Sequence, residues 1–110
     1  MSNAALPAQF LANEPDAEKE LAATQVVFEA LAHPTRRHIL LVLRFRGGRM
    51  SAGDIAARFS CGWSTVSNHL RLLQEAGLVS VEKQGRERVY SVRAETLLAV
   101  TGAWLKWFQP

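Results

Sequence analysis

Hydrophobic positions recur at helical spacing through most of the chain, and the places where that period fails mark the connections. From about Asp16 to Ala32, Leu21, Phe28 and Leu31 repeat with Val27 beside them, and acidic residues crowd the first turns, where the helix dipole favours them. His33-Pro34 interrupts that helix. Pro34 suits the first position of the next one, which runs to about Arg46 with Ile39, Leu40 and Leu43 inward, and Gly47-Gly48 end it. Ser51, followed three residues later by Asp54, has the form of a capping box and opens a short helix to Phe59. Ser60, Cys61 and Gly62 then lead tightly into a helix that stops at Gly77, a residue suited to a left-handed cap. Val79, Val81, Val89, Tyr90 and Val92 lie in two β-prone runs around Lys83-Gln84-Gly85-Arg86-Glu87, which predicts a hairpin with a basic, glycine-containing tip. A final helix from Ala94 to Phe108 aligns Leu97, Thr101, Trp104 and Phe108, with Leu98 and Leu105 widening the stripe. Residues 1–15 show no period and are expected to be a flexible tail; residues 16–110 form one domain.

The helix after the tight turn has two unlike sides. At about 100° per residue, Leu70 and Leu73 fall within about 40° of Val66, whereas Ser64, Asn68 and Arg71 lie opposite, with Ser67 and Thr65 at the borders. Glu and Lys, the usual occupants of a solvated helix face, are missing from it before Glu75. Short hydroxyl and amide side chains let a helix backbone approach another surface closely. They also supply the donors and acceptors that read base edges in a DNA major groove, Asn suiting adenine and Arg guanine. Taken alone, the face fits either solvation or base reading. Two short helices joined by so brief a turn make a helix-turn-helix, and the hairpin adds a wing whose Lys83, Arg86 and Arg88 can reach flanking phosphates. The expected fold is mainly α with a small β-hairpin, a winged helix-turn-helix in the order α-α-α-α-β-β-α.

Charge sharpens this picture. The net charge of +3 hides an asymmetry: residues 1–32 hold one Lys against five acids, residues 33–93 eleven Lys and Arg against four. A basic middle of that kind suits a polyanionic partner. With no apolar run of about 18 residues and no basic-then-apolar leader, neither a membrane span nor a secretory signal is expected, and a single cysteine fits a reducing, cytoplasmic setting. No enzymatic activity is expected either. A glycine-rich phosphate loop, a nucleophile elbow and paired carboxylates are missing, and Ser64, His69 and Glu75 lie on one helix at spacings that cannot converge.

The stretches ALAHPTRRHIL (30–40), STVSNHLRLLQEAGLV (64–79) and GRERVYSV (85–92), in that order, resemble the ArsR/SmtB family of bacterial winged-helix transcriptional repressors over about residues 20 to 105. The resemblance implies a homodimer whose two recognition helices enter successive major grooves of an inverted-repeat operator. It places groove reading in residues 63 to 71, hence Trp63, Ser64, Thr65, Ser67, Asn68 and Arg71, and phosphate contact in the wing, residues 83 to 88. Trp63 stands where the family pattern usually has a polar residue. It either stacks on a sugar or thymine methyl or shields the turn. Arg36 falls near the Ile39 and Leu43 stripe and is expected to anchor structure, whereas Arg37 points away and is expected to be free to approach phosphate.

Many members of that family sense metals, and both kinds of ligand site can be checked. The positions of the Cys-x-Cys pair at the start of the third helix read Ser51 and Gly53, and residues 94 to 110 offer Glu95 but no His or Cys. Cys61 takes what is normally an apolar turn position and is expected to be a small hydrophobic plug. Two copies of it cannot join, because paired recognition helices lie about 34 Å apart whereas a disulfide needs Cα atoms within about 7 Å. His33, His38 and His69 match no metal spacing and are expected to be structural. No metal or cofactor is expected, and an inducer is left open.

The final helix is apolar over more of its circumference than one small domain covers. Leu97, Leu98, Trp104, Leu105 and Phe108, with Leu21 and Phe28 of the first helix, are therefore the candidate dimer interface. The alternative is that the helix folds back on its own core. The expected function is a sequence-specific DNA-binding regulator, a dimeric repressor of its own promoter at an inverted-repeat operator. Its rival is a winged-helix protein-interaction module that reads no bases, against which the basic middle argues.

Overall fold

The computed structural model describes residues 17–110, and the tail expected over residues 1–15 lies outside the described residues. Helix α1 (Ala17–Leu31) carries Glu18 and Glu20 in its first turn. Its innermost side chains are Thr24, Val27 and Ala30, whereas Leu21, Phe28 and Leu31, whose spacing pointed inward, are half-buried. Thr24 can sit inside because its hydroxyl donates to the Glu20 carbonyl one turn back, at 2.8 Å. Helix α2 (Pro34–Phe45) starts as Pro34 dictates, and the His33 ring caps it by accepting the Thr35 N–H at 3.1 Å. Ile39, Leu40 and Leu43 are buried as their spacing requires.

A strand that the pattern did not predict follows the glycines. Strand β1 (Arg49–Ser51) has three residues, too few for any period, and exists because its backbone pairs with residues some forty positions on. Ser51 ends β1 and caps helix α3 (Ala52–Ala56), its Oγ accepting the Asp54 N–H at 3.1 Å. Among the described residues only this half of the capping box forms; Asp54 is a methylene shorter than the Glu that usually completes it. Helix α3 also stops three residues before the expected Phe59.

Helix α4 (Trp63–Glu75) ends in a pattern that Gly77 makes possible. With Gly77 at φ +77°, its N–H bonds the Gln74 carbonyl and the Leu78 N–H bonds the Leu73 carbonyl, both at 2.9 Å. That is the paired bonding of a Schellman cap, and the accompanying apolar contact is Leu73 with Leu78, both fully buried. Strands β2 (Val79–Gln84) and β3 (Glu87–Val92) meet at Gly85-Arg86, a two-residue turn with Gly85 at φ +63°. The strands thus run closer to the tip than the five-residue connection expected. The sheet is antiparallel in the order β1-β3-β2. Val66, Leu70 and Leu73 of α4 meet Ile39, Leu40 and Leu43 of α2, Ile55 of α3, and Leu78, Val79 and Tyr90 from the sheet, with Val27 of α1, in one core. Helix α5 (Ala94–Leu105), continued by a 3-10 turn (Lys106–Phe108), lies against α1. Among the described residues the fold is five helices and a three-stranded sheet, a winged helix-turn-helix.

Candidate nucleic-acid interface

Helix α4 splits as its sequence demands: Val66, His69, Leu70 and Leu73 are buried, while Ser64, Thr65, Asn68 and Arg71 are exposed and Ser67 is half-buried. The exposed side faces a shallow groove whose other wall is β3, so that Ser64, Ser67, Asn68 and Arg71 lie across from Arg88. Gln74 and Tyr90 line the same groove and were not singled out in the sequence. No local signal marks them, since Gln74 sits at the end of the helix and Tyr90 is otherwise a core residue. The two strongest base-reading candidates are bonded to each other. Arg71 donates through Nη2 to the Asn68 Oδ1 and through Nη1 to the Glu75 carboxylate, each at 2.7 Å. These exposed bonds are weak enough to exchange for base edges while holding the guanidinium near the groove until then.

Trp63 is half-exposed in the first turn of α4 and borders a second depression together with Asp54 near the start of α3 and with Arg86 and Arg88 of the wing. It therefore belongs to the same surface as the wing. Lys83 and Arg88 are direct cross-strand partners, both exposed. Like charges placed opposite each other repel, and an anion between them relieves that repulsion.

The two arginines near the start of α2 behave differently from each other. Arg36 donates from Nε to the Ala30 carbonyl (2.6 Å) and from Nη2 to the Glu29 carbonyl (3.1 Å), closing the end of α1, and its Nη1 lies 3.2 Å from His69 Nδ1. It is the structural anchor expected. Arg37 is exposed, and its Nη1 donates to the Leu31 carbonyl at 2.6 Å, so this side chain also caps α1. The last carbonyls of a helix lack internal partners, which is why both side chains turn back to them.

His69 ties α4 to this junction. A guanidinium only donates, so His69 Nδ1 accepts, which a neutral ring protonated on Nε2 does and an imidazolium cannot. The His33 ring lies 4.4 Å from the His69 ring, a pairing that the sequence did not foretell. Burial first, then the His33 and Arg36 charges, hold the His69 pKa below the ordinary 6.5. Because the unfolded chain takes up this proton at a higher pH than the folded one, the contribution is fully present above 6.5 and shrinks as pH falls below that value. Urea midpoints are expected to drop as pH falls below 6.5, and His69→Gln to flatten the drop; equal slopes in both proteins would remove His69 as its source. Among the described residues, no three His, Cys, Asp or Glu side chains are grouped to hold a metal ion. Cys61 is half-buried and packs against the core.

The expected dimer residues fall into two groups. Phe28 and Trp104 meet edge to face at 5.4 Å, and Trp104 continues to Phe108 at 4.8 Å, so α5 does fold partly onto its own α1. Leu21, Phe28 and Leu97 are half-buried, Phe28 and Leu97 packing against the core. Leu98, Leu105 and Phe108 remain 70%, 51% and 69% exposed, and Val26 and Trp107 join them as apolar surface. Leu41 and Phe45, one turn apart on α2, are also exposed and were not singled out in the sequence.

A two-faced recognition helix seated on a helix-turn-helix core and flanked by a basic wing defines a winged-helix DNA-binding regulator. Comparison with known proteins agrees. Residues 31–82 match a family model described as a helix-turn-helix domain. The chain is 41% identical over 71 residues to the transcriptional repressor SdpR of Bacillus subtilis, covering 64% of this chain and 77% of that one. It is 36% identical over 83 residues to the HTH-type transcriptional regulator NmtR of Mycobacterium tuberculosis, covering 73% and 68%. An ArsR-like transcriptional regulator from a Rhodococcus species superimposes with a TM-score of 0.69 at 32% identity, covering 80% of each chain. The chain belongs to the ArsR family of winged helix-turn-helix transcriptional regulators, proteins that bind DNA and are not enzymes. No helix among the described residues is long and apolar enough to cross a membrane.

Proposed function

We propose that the chain acts in the cytoplasm as a homodimeric repressor that occupies an inverted-repeat operator, its own promoter included, and thereby blocks RNA polymerase. One observation carries this reading: Ser64, Ser67, Asn68 and Arg71 share a single groove with the wing residue Arg88, so base-reading and phosphate-binding groups face the same way. Base choice then rests on Ser64, Thr65, Ser67, Asn68 and Arg71, while Lys83, Arg86 and Arg88 supply sequence-independent affinity. Trp63 lies beside Asp54 and the wing, which supports a stacking contact with a sugar or thymine methyl at the edge of the major groove.

The test is a fluorescence-anisotropy titration with the upstream promoter duplex and a scrambled duplex, at two salt concentrations. Promoter binding about a thousandfold tighter or more is expected. Indistinguishable, salt-labile binding would instead favour the protein-interaction module. Asn68→Ala or Arg71→Ala should weaken operator binding by about 1 to 3 kcal/mol and relax base preference, whereas Lys83→Ala with Arg86→Ala should weaken both duplexes and flatten the salt dependence. Equal losses of Asn68→Ala on both duplexes would sink its base-reading role.

A further inference from the structure

The groove and wing use only some of the eleven cations in residues 33–93. Arg36 and Arg37 close α1, Arg71 lies in the groove, Lys83, Arg86 and Arg88 form the wing, and Arg93 pairs with Glu95 at 3.5 Å. Arg44, Arg46, Arg49 and Arg58 are left. Three of these four surround one open hollow, together with Met50, Asp54 and Ala57. They arrive from three places: Arg46 caps the end of α2, Arg49 opens β1, and Arg58 follows α3. All three are exposed, and only Arg49 has an ion-pair partner among the described residues, Glu82 at 3.3 Å. The hollow thus gathers three positive groups against two carboxylates, that of Asp54 in its wall and that of Glu82 paired with Arg49. Guanidinium groups so placed repel one another, and a phosphate diester, which accepts two N–H bonds from each guanidinium fork, suits the space between them.

Its position says which phosphate. Asp54 lines this hollow and also the depression holding Trp63, Arg86 and Arg88, and Arg88 in turn lines the groove of Asn68 and Arg71. The three hollows therefore form a track of neighbours, each sharing one lining residue with the next. We infer that Arg46, Arg49 and Arg58 form a backbone-phosphate site for duplex DNA at the far end of that track, beyond the recognition helix and wing. The inference rests on the DNA-binding reading above and lengthens the duplex each protomer covers. This site reads no bases, because its donors are long, exposed and drawn from a loop, a strand end and a helix end rather than from α4.

Salt titration separates this site from the others. Arg46→Gln, Arg49→Gln and Arg58→Gln combined should lower the slope of log affinity against log salt by about 0.9 for each phosphate no longer neutralised, equally on promoter and scrambled duplexes. The ratio between the two duplexes should stay at its wild-type value. Arg44→Gln, exposed nearby but outside the hollow, is the control and should change the slope by far less per charge removed. On a duplex trimmed to the base pairs under the recognition helices, the triple variant and wild type should converge. A triple variant with the wild-type slope overturns the site, as does an Arg44→Gln effect equal to one third of the triple effect, which would mean that net charge alone matters. If wild type binds neither duplex, the DNA-binding reading itself fails; if wild type binds and the triple variant matches it, only this site does.

Discussion

Leu98→Asp combined with Leu105→Asp is expected to give a folded monomer that has lost operator binding. Both side chains are more than half exposed in the protomer, and no residue of α5 is fully buried, so the substitutions remove little from the protomer's own packing. An interface is different. A stable dimer buries about 800 Å² on each partner, and a carboxylate carried into such a dry patch opposes association by several kcal/mol, twice over because twofold symmetry repeats it. A monomer then reaches one half-site only and loses the gain that linkage brings. Phe28→Ala and Trp104→Ala are poorer tests, since these rings pack on each other at 5.4 Å within the protomer and their loss would loosen α1 from α5. Light scattering after gel filtration at micromolar concentration, with circular dichroism for folding, decides the matter. A double variant that stays dimeric would move the interface elsewhere, and the exposed Leu41 and Phe45 of α2 would then be the first surface to examine.

Leu70→Ala should lower stability by about 2 to 5 kcal/mol while leaving the base preference of the folded protein intact. Leu70 is fully buried where α4 meets α2, and its neighbour Asn68 is exposed in the groove. Two residues apart on one helix, the two should separate cleanly: the urea midpoint falls for Leu70→Ala at unchanged m-value, and operator discrimination falls for Asn68→Ala at nearly unchanged midpoint. If Leu70→Ala relaxed base preference as much as Asn68→Ala, the division of α4 into a seated side and a reading side would be wrong.

Much of the molecule is legible in the sequence because its decisive signals are local. Pro34 at a helix start, Ser51 as an N-cap, Gly77 at positive φ and Gly85 in the wing turn each act through neighbours a few residues away. The two sides of α4 follow from the helical period alone, and so do the inward positions of α2. Where elements stop was less legible: α3 ends early and α5 passes into a 3-10 turn at Lys106, since helix ends depend on what the last carbonyls find nearby.

The sequence by itself determined the order of elements apart from β1, the recognition helix with its polar face, and the basic wing. Tertiary structure alone decided the rest. β1 exists only because Val89–Ser91 lies alongside it, Thr24 and Ala30 rather than Leu21 face the core, and Arg37 reaches the Leu31 carbonyl. His33 meets His69, and Arg46, Arg49 and Arg58 gather in one hollow, by the same route. Each of these depends on groups brought together by packing, and neither helical period nor capping chemistry carries information about partners so far along the chain.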